Sequence, residues 1–156
     1  MIDELYSARI LKLAANLPHA GRLPAPDGTG ERVAKLCGSK AVVDVVLDAD
    51  GRIAAFAQDI KACALGQAAA GVLGEAVIGA SAAEIENARD ATLAMLKTGG
   101  QGPAGRFEGL RALKQVADYP ARHASTLVAI EATLEAVHIA VARKAPDTRT
   151  SLAGAA

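Results

Sequence analysis

The chain has 156 residues, 51% hydrophobic but only 3% aromatic, with seventeen basic residues against seventeen acidic ones. That length carries a sizeable core, and the sparse aromatics mean Ala, Val, Leu and Ile must build it. A zero balance removes the broad electrostatic case for nucleic acid or an anionic membrane as partner.

Ile2 to Leu17 reads as an amphipathic helix. Ile2, Leu5, Tyr6, Ile10, Leu13 and Leu17 recur at helical spacing, and Pro18 and Gly21 end it. Leu23 to Glu31 reads as a loop, because Pro24, Pro26, Gly28 and Gly30 punctuate it. Three β-prone runs follow: Arg32 to Leu36, Ala41 to Leu47 and Arg52 to Gln58. Asp50-Gly51 between the last two favours a hairpin, so the runs predict a small antiparallel meander.

The rest is helical. Cys63 to Ile78 is rich in Ala and Gly and can lie close to its neighbours. Ser81 with Glu84 fits a capping box, and that helix runs to about Lys97 before Gly99-Gly100. A short helix spans Phe107 to Val116, Pro120 breaks the chain again, and Arg122 to Arg143 forms the last helix. Strands grouped first and helices after them predict an α+β fold: a three-stranded antiparallel sheet packed by about five helices. Residues 1–145 read as one domain and 146–156 as a flexible tail.

No positively charged start leads into an apolar stretch, and no apolar run nears membrane-spanning length, so a soluble, cytoplasmic protein is expected. Its two cysteines, Cys37 and Cys63, are then expected to be reduced. Each could be a small buried apolar residue. Each could also be a soft nucleophile. Cys63 falls at a strand-to-helix junction, where unpaired amides and the nearby Lys61 favour a thiolate. Cys37 precedes Gly38, which permits a tight turn. His123, at the start of the last helix, is the third candidate, as a metal ligand or a merely capped imidazole. There is no phosphate loop, His-Glu-x-x-His, Cys-x-x-Cys or nucleophile elbow.

Together these pieces resemble a family. Leu5-Tyr6-Ser7, Cys37-Gly38, Ala62-Cys63-Ala64-Leu65-Gly66-Gln67-Ala68, the segment Gly109 to Val116 and Tyr119-Pro120-Ala121-Arg122 occur in the order of the NifU N-terminal, or IscU/SufU-type, iron–sulfur cluster assembly scaffolds. The resemblance implies a SufE/NifU-like α+β fold with ligands from three segments meeting at one end. It implies a scaffold, not an enzyme, that holds iron or a nascent iron–sulfur cluster transiently through Cys37 and Cys63 with help from His123. A cysteine desulfurase and recipient apoproteins are the implied partners, with no nucleic acid or membrane.

The chain departs from the pattern at two places. Ser39 stands where Cys-Gly is normally followed by aspartate, and the third cysteine position falls on Ala124, or on Ser125 without a gap. Two alternatives therefore stay open: a zinc-dependent persulfide carrier, and a binding module that kept the fold without metal.

Overall fold

The computed structural model describes residues 8–35 and 38–144. Ile2, Leu5 and Tyr6 of the expected first helix, Leu36, Cys37 and the expected tail lie outside those residues.

Helix α1 (Ala8–Ala15) buries Ile10. Beyond it, His19 to Gly21 pairs along the free edge of the third strand: Gln58 donates its amide to His19 O at 2.9 Å, and Gly21 donates to Gln58 O at 2.9 Å. Strands β1 (Gly28–Ala34), β2 (Ser39–Leu47) and β3 (Ile53–Lys61) form one antiparallel sheet in the order β1-β2-β3. The meander is as expected, but β1 begins at Gly28, inside the segment read as a loop. The reason is packing. A Cβ on Gly28 or Gly30 would run into the backbone oxygens of Ala136 and Ala132, so the glycines let the strand lie directly against the last helix.

Ser81 and Glu84 form the expected capping box at the start of a helix, while α2 (Ala64–Ala76) precedes it and α3 (Ala82–Thr98) is the helix so capped. Gly99 ends α3 in the left-handed conformation, φ +73°. The next segment, Gly105–Asp118, is 3-10 rather than α-helical and is kinked at Phe107, whose φ −103° and ψ 19° are not helical. Its buried residues are Phe107, Leu110, Leu113 and Val116, a spacing of three that lines one face only at three residues per turn. A short 3-10 turn, Pro120–Arg122, then feeds α4 (His123–Lys144).

Helix α4 is the centre of the core. It packs on β1 and β2 on one side and on α2 and α3 on the other. Ala41, Val43, Val45 and Leu47 face it from β2 and are buried. Arg32 pairs with Glu135, which also accepts the Glu31 amide, and this ties β1 to α4. The segment Pro120–Lys144 meets the length and composition of a membrane-crossing helix, as the core helix of a globular fold can, and 67% of its most apolar 18-residue window is buried in the protein.

The outer face of the sheet carries one buried carboxylate. Asp44 accepts from Arg22 Nε at 2.6 Å, Arg22 Nη2 at 3.2 Å, the Leu23 amide at 3.0 Å and Thr29 Oγ1 at 2.6 Å. Burial alone would raise its pKa, but these donors outweigh burial and hold it below the ordinary carboxylate range.

Candidate functional site at the β3–α2 junction

Two residues past the end of β3, Cys63 takes an extended conformation, φ −65° and ψ 173°, and is the N-cap of α2. Its carbonyl accepts the Gln67 amide at 2.9 Å, the bond that opens the helix. The Gln67 side chain reaches back to Ile60 O at 3.0 Å and fixes the helix start to the strand end. The thiol makes no cap bond of its own, so it is not committed to the helix amides. It is partly exposed.

Its hydrogen-bond partner is Ser125, whose Oγ lies 3.6 Å from Sγ. Ser125 sits in the first turn of α4 and is 2% exposed. Gly66 makes this meeting feasible. A Cβ there would lie 2.8 Å from the Ser125 carbonyl oxygen and 2.7 Å from the Ala62 Cβ, too close for either. The missing side chain lets the N-terminal ends of α2 and α4 touch. Of the two positions open for a third cysteine, Ser125 is the one beside Cys63.

His123 uses one ring nitrogen within its own segment of chain. Its Nε2 lies 2.9 Å from Val116 O and 3.3 Å from Ala117 O. Carbonyls only accept, so Nε2 carries the proton and Nδ1 is the only nitrogen left to ligate. Residues two apart on a helix do not share a face, so His123 and Ser125 diverge. Among the described contacts none joins His123 to Cys63, and no group of three or more His, Cys, Asp or Glu could hold a metal among the described residues. His138 pairs with Glu86 at 2.7 Å and His19 stacks edge-on to Phe56 at 6.0 Å, so both are engaged elsewhere.

The other expected thiol, Cys37, falls outside the described residues, but its flanks are placed. Ala34 and Ser39 are register partners, and Gly38 donates its amide to Ala34 O at 2.9 Å. Gly38 has φ +71°, a conformation glycine adopts without strain. Lys40 pairs with Lys61 across β2 and β3. The β1–β2 connection and the β3–α2 junction therefore lie at the same end of the sheet. Ser39 opens β2 there and is 3% exposed. Lys40 pairs with Glu31 at 2.9 Å.

Ser125, Gly66 and Gln67 complete this junction. Their signal in the sequence is slight: a hydroxyl at an ungapped ligand position, and a small residue and an amide one turn into the helix.

The NifU-like N terminal domain matches residues 5–126, a span that ends just after Ser125. A solved structure of a nitrogen-fixing NifU-like protein (N-terminal) from Brucella abortus is 43% identical, covers 92% of this chain and 99% of its own, and superposes with a TM-score of 0.87. A candidate iron–sulfur cluster assembly scaffold protein for the SUF system, from Fervidobacterium islandicum AW-1, is 20% identical over 85% of this chain and 96% of its own, with a TM-score of 0.77; at that identity it speaks for the fold alone. A hypothetical protein is similar at 25% identity, 86% and 97% coverage and a TM-score of 0.73. No curated protein matches the chain.

Proposed function

The chain belongs to the NifU-like N-terminal domain family, and from that premise we propose that it is an iron–sulfur assembly scaffold whose cargo is held transiently by Cys63 and Cys37. The observation that supports this most is the meeting of Cys63 with Ser125 at the sheet end to which the Cys37-bearing connection returns. Thiolates are soft ligands suited to iron and to iron–sulfur clusters. Ser125 supplies a neutral hydroxyl where a third thiolate would stand, and Ser39 another where a carboxylate would. Two thiolates leave coordination positions open to sulfide, water or a recipient protein, which suits loading and release. A closed structural zinc site needs four donors, and this residue set does not fit one. His123 contributes at most through Nδ1; its Nε2 bond to Val116 O fixes the start of α4.

Nothing in this role requires turnover. The partners that fit are a sulfur donor of the cysteine desulfurase class and apoproteins that accept the cargo. A cytoplasmic setting accords with reduced thiols. Residues up to about 145 form the scaffold domain in this account.

Anaerobic addition of ferrous iron and sulfide tests it. The wild type is expected to gain visible absorbance and keep iron through desalting, and Cys37→Ala or Cys63→Ala to lose most of both. A wild type that keeps no iron sinks the proposal.

The partly exposed Cys63, with its uncommitted sulfur, also favours a second reading as a sulfur carrier. Its thiolate would attack the sulfane sulfur of a donor persulfide. A new S–S bond forms on Sγ as the old one breaks, and the donor leaves as its own thiolate. A gain of one sulfur atom on Cys63, seen by mass spectrometry without iron present, separates this reading from the first.

A further inference from the structure

We propose that Glu135 and Arg32 form a clamp over the free edge of β1, and that this clamp keeps a second copy of the chain from pairing there, edge to edge, about Val33.

A strand at the edge of a sheet offers unpaired N–H and C=O groups to any other strand. His19 to Gly21 lines the β3 edge and bonds to Gln58 in both directions. Among the described residues no strand lies on the β1 edge, and side chains close it instead. Just before the strand, Arg143 of α4 donates to Asp27 O at 3.1 Å. At its middle the Glu31 amide donates to Glu135 Oε1 at 2.9 Å, and Arg32 Nη1 donates to Glu31 O at 3.1 Å. Arg32 Nη1 also pairs with Glu135 Oε2, so the two jaws hold each other. Both backbone groups of Glu31 are thus taken by side chains.

The clamp stops there. Alternate residues of an antiparallel strand point their backbone groups to the same side, so Val33 presents its amide and carbonyl to the edge that Glu31 faces. Its side chain, 53% exposed, is the most exposed large apolar one among the described residues. About this residue the edge is complementary to itself. Antiparallel pairing of two copies sets Val33 opposite Val33 and, on either side, Glu31 opposite the exposed Lys35. Opposite charges facing each other across two strands are favourable. Glu31 Oε1 pairs with Lys40 at 2.9 Å, which leaves Oε2 for the incoming ammonium. Only the Glu31 backbone is withheld. While it is clamped, the exchange between the two Val33 residues stands alone, too few bonds to offset the cost of joining two chains. Releasing the clamp adds the backbone bonds of both Glu31–Lys35 pairs. Because β1 ends at Ala34 and the chain returns at Ser39, a closed edge also keeps a second copy off the connection between them.

Sedimentation velocity of the full chain over about 1 μM to 1 mM tests it. The double variant Arg32→Ala/Glu135→Ala is expected to self-associate at least about tenfold more tightly than wild type, the scale of the hydrogen bonds regained. Adding Val33→Lys sets two ammonium groups against each other at the centre of the interface. It is expected to bring association back within about threefold of wild type. Amide exchange at Val33 should slow as the double variant associates. A double variant no tighter than wild type, an association that Val33→Lys leaves intact, or a Val33 amide that still exchanges at the wild-type rate overturns the proposal. Circular dichroism checks that each variant folds. If the double variant does not, Arg32→Ala alone frees the Glu31 carbonyl by removing a side chain that is 44% exposed. That variant is expected to associate about threefold more tightly than wild type, and no gain overturns the proposal in the same way.

Discussion

Asp44 and Cys63 are both acids that the fold takes partly or wholly out of water, and the fold provides for them in opposite ways. Asp44 is fully buried and receives four hydrogen bonds from Arg22, Leu23 and Thr29. Cys63 is partly exposed and has one long contact to a hydroxyl. The carboxylate is saturated with donors and so can do nothing but hold the loop before β1 onto the sheet. The thiol has a single long contact, and in the proposed role its unused capacity is what a cargo or an incoming sulfur would take. On that proposal, saturation goes with structure and spare valence with function.

The sharpest way to break that contrast is to remove the saturated partner. Asp44→Ala leaves the Thr29 hydroxyl and Leu23 amide without an acceptor and strips Arg22 of its pair. Breaking a buried pair costs about 3–5 kcal/mol, and the half-exposed Arg22 can regain water, which places the loss near about 3 kcal/mol. Urea unfolding measures it. Because the folded state lowers the Asp44 pKa, the contribution is complete above the ordinary carboxylate range and fades as pH falls through and below it. The gap between wild type and Asp44→Ala should therefore narrow in acid. A gap that is constant with pH would mean that the charge is not what stabilises.

Gly66→Ala comes next. An alanine inside a helix normally gains about 1 kcal/mol over glycine. Here the new methyl meets the Ser125 carbonyl and Ala62, and overpacking of this kind costs about 1–3 kcal/mol. The expected result is a net loss of about 1 kcal/mol, with iron retention falling because α2 and α4 are pushed apart. A stabilised Gly66→Ala would show that the close approach does not set the Cys63–Ser125 distance.

Much of this fold is legible in the sequence where a signal is local. The valine-rich run of β2, the Asp50-Gly51 turn, the Ser81–Glu84 box and the Gly99 stop each rest on neighbouring residues and each recurs in the structure. What fails is what depends on distant partners. Gly28 and Gly30 look like loop glycines until α4 lies against them. The 3-10 segment is an exception, since the strict period of three in Phe107, Leu110, Leu113 and Val116 is itself a local signal. The same division runs through the site. Cys63 at a helix start is readable from Lys61-Ala62-Cys63-Ala64. Its contact with Ser125 is not, because it depends on how two helices meet. Nor is the hydrogen bond of the His123 imidazole to a carbonyl seven residues back.

The smallest expected effect is the most telling. Cys63→Ala removes the partly exposed thiol and strands nothing, because Ser125 keeps its bond to Arg122 O. A free cysteine packs as a small hydrophobe, so the cost should stay below about 1 kcal/mol. Iron retention, by contrast, should collapse. Asp44 and Cys63 would then differ in kind, one variant unfolding easily and the other folding normally but empty. A Cys63→Ala loss of more than about 2 kcal/mol would place the residue with the core, where large-to-small changes cost that much. In that case spare valence at the junction would be incidental to packing, and the contrast with Asp44 would be one of degree.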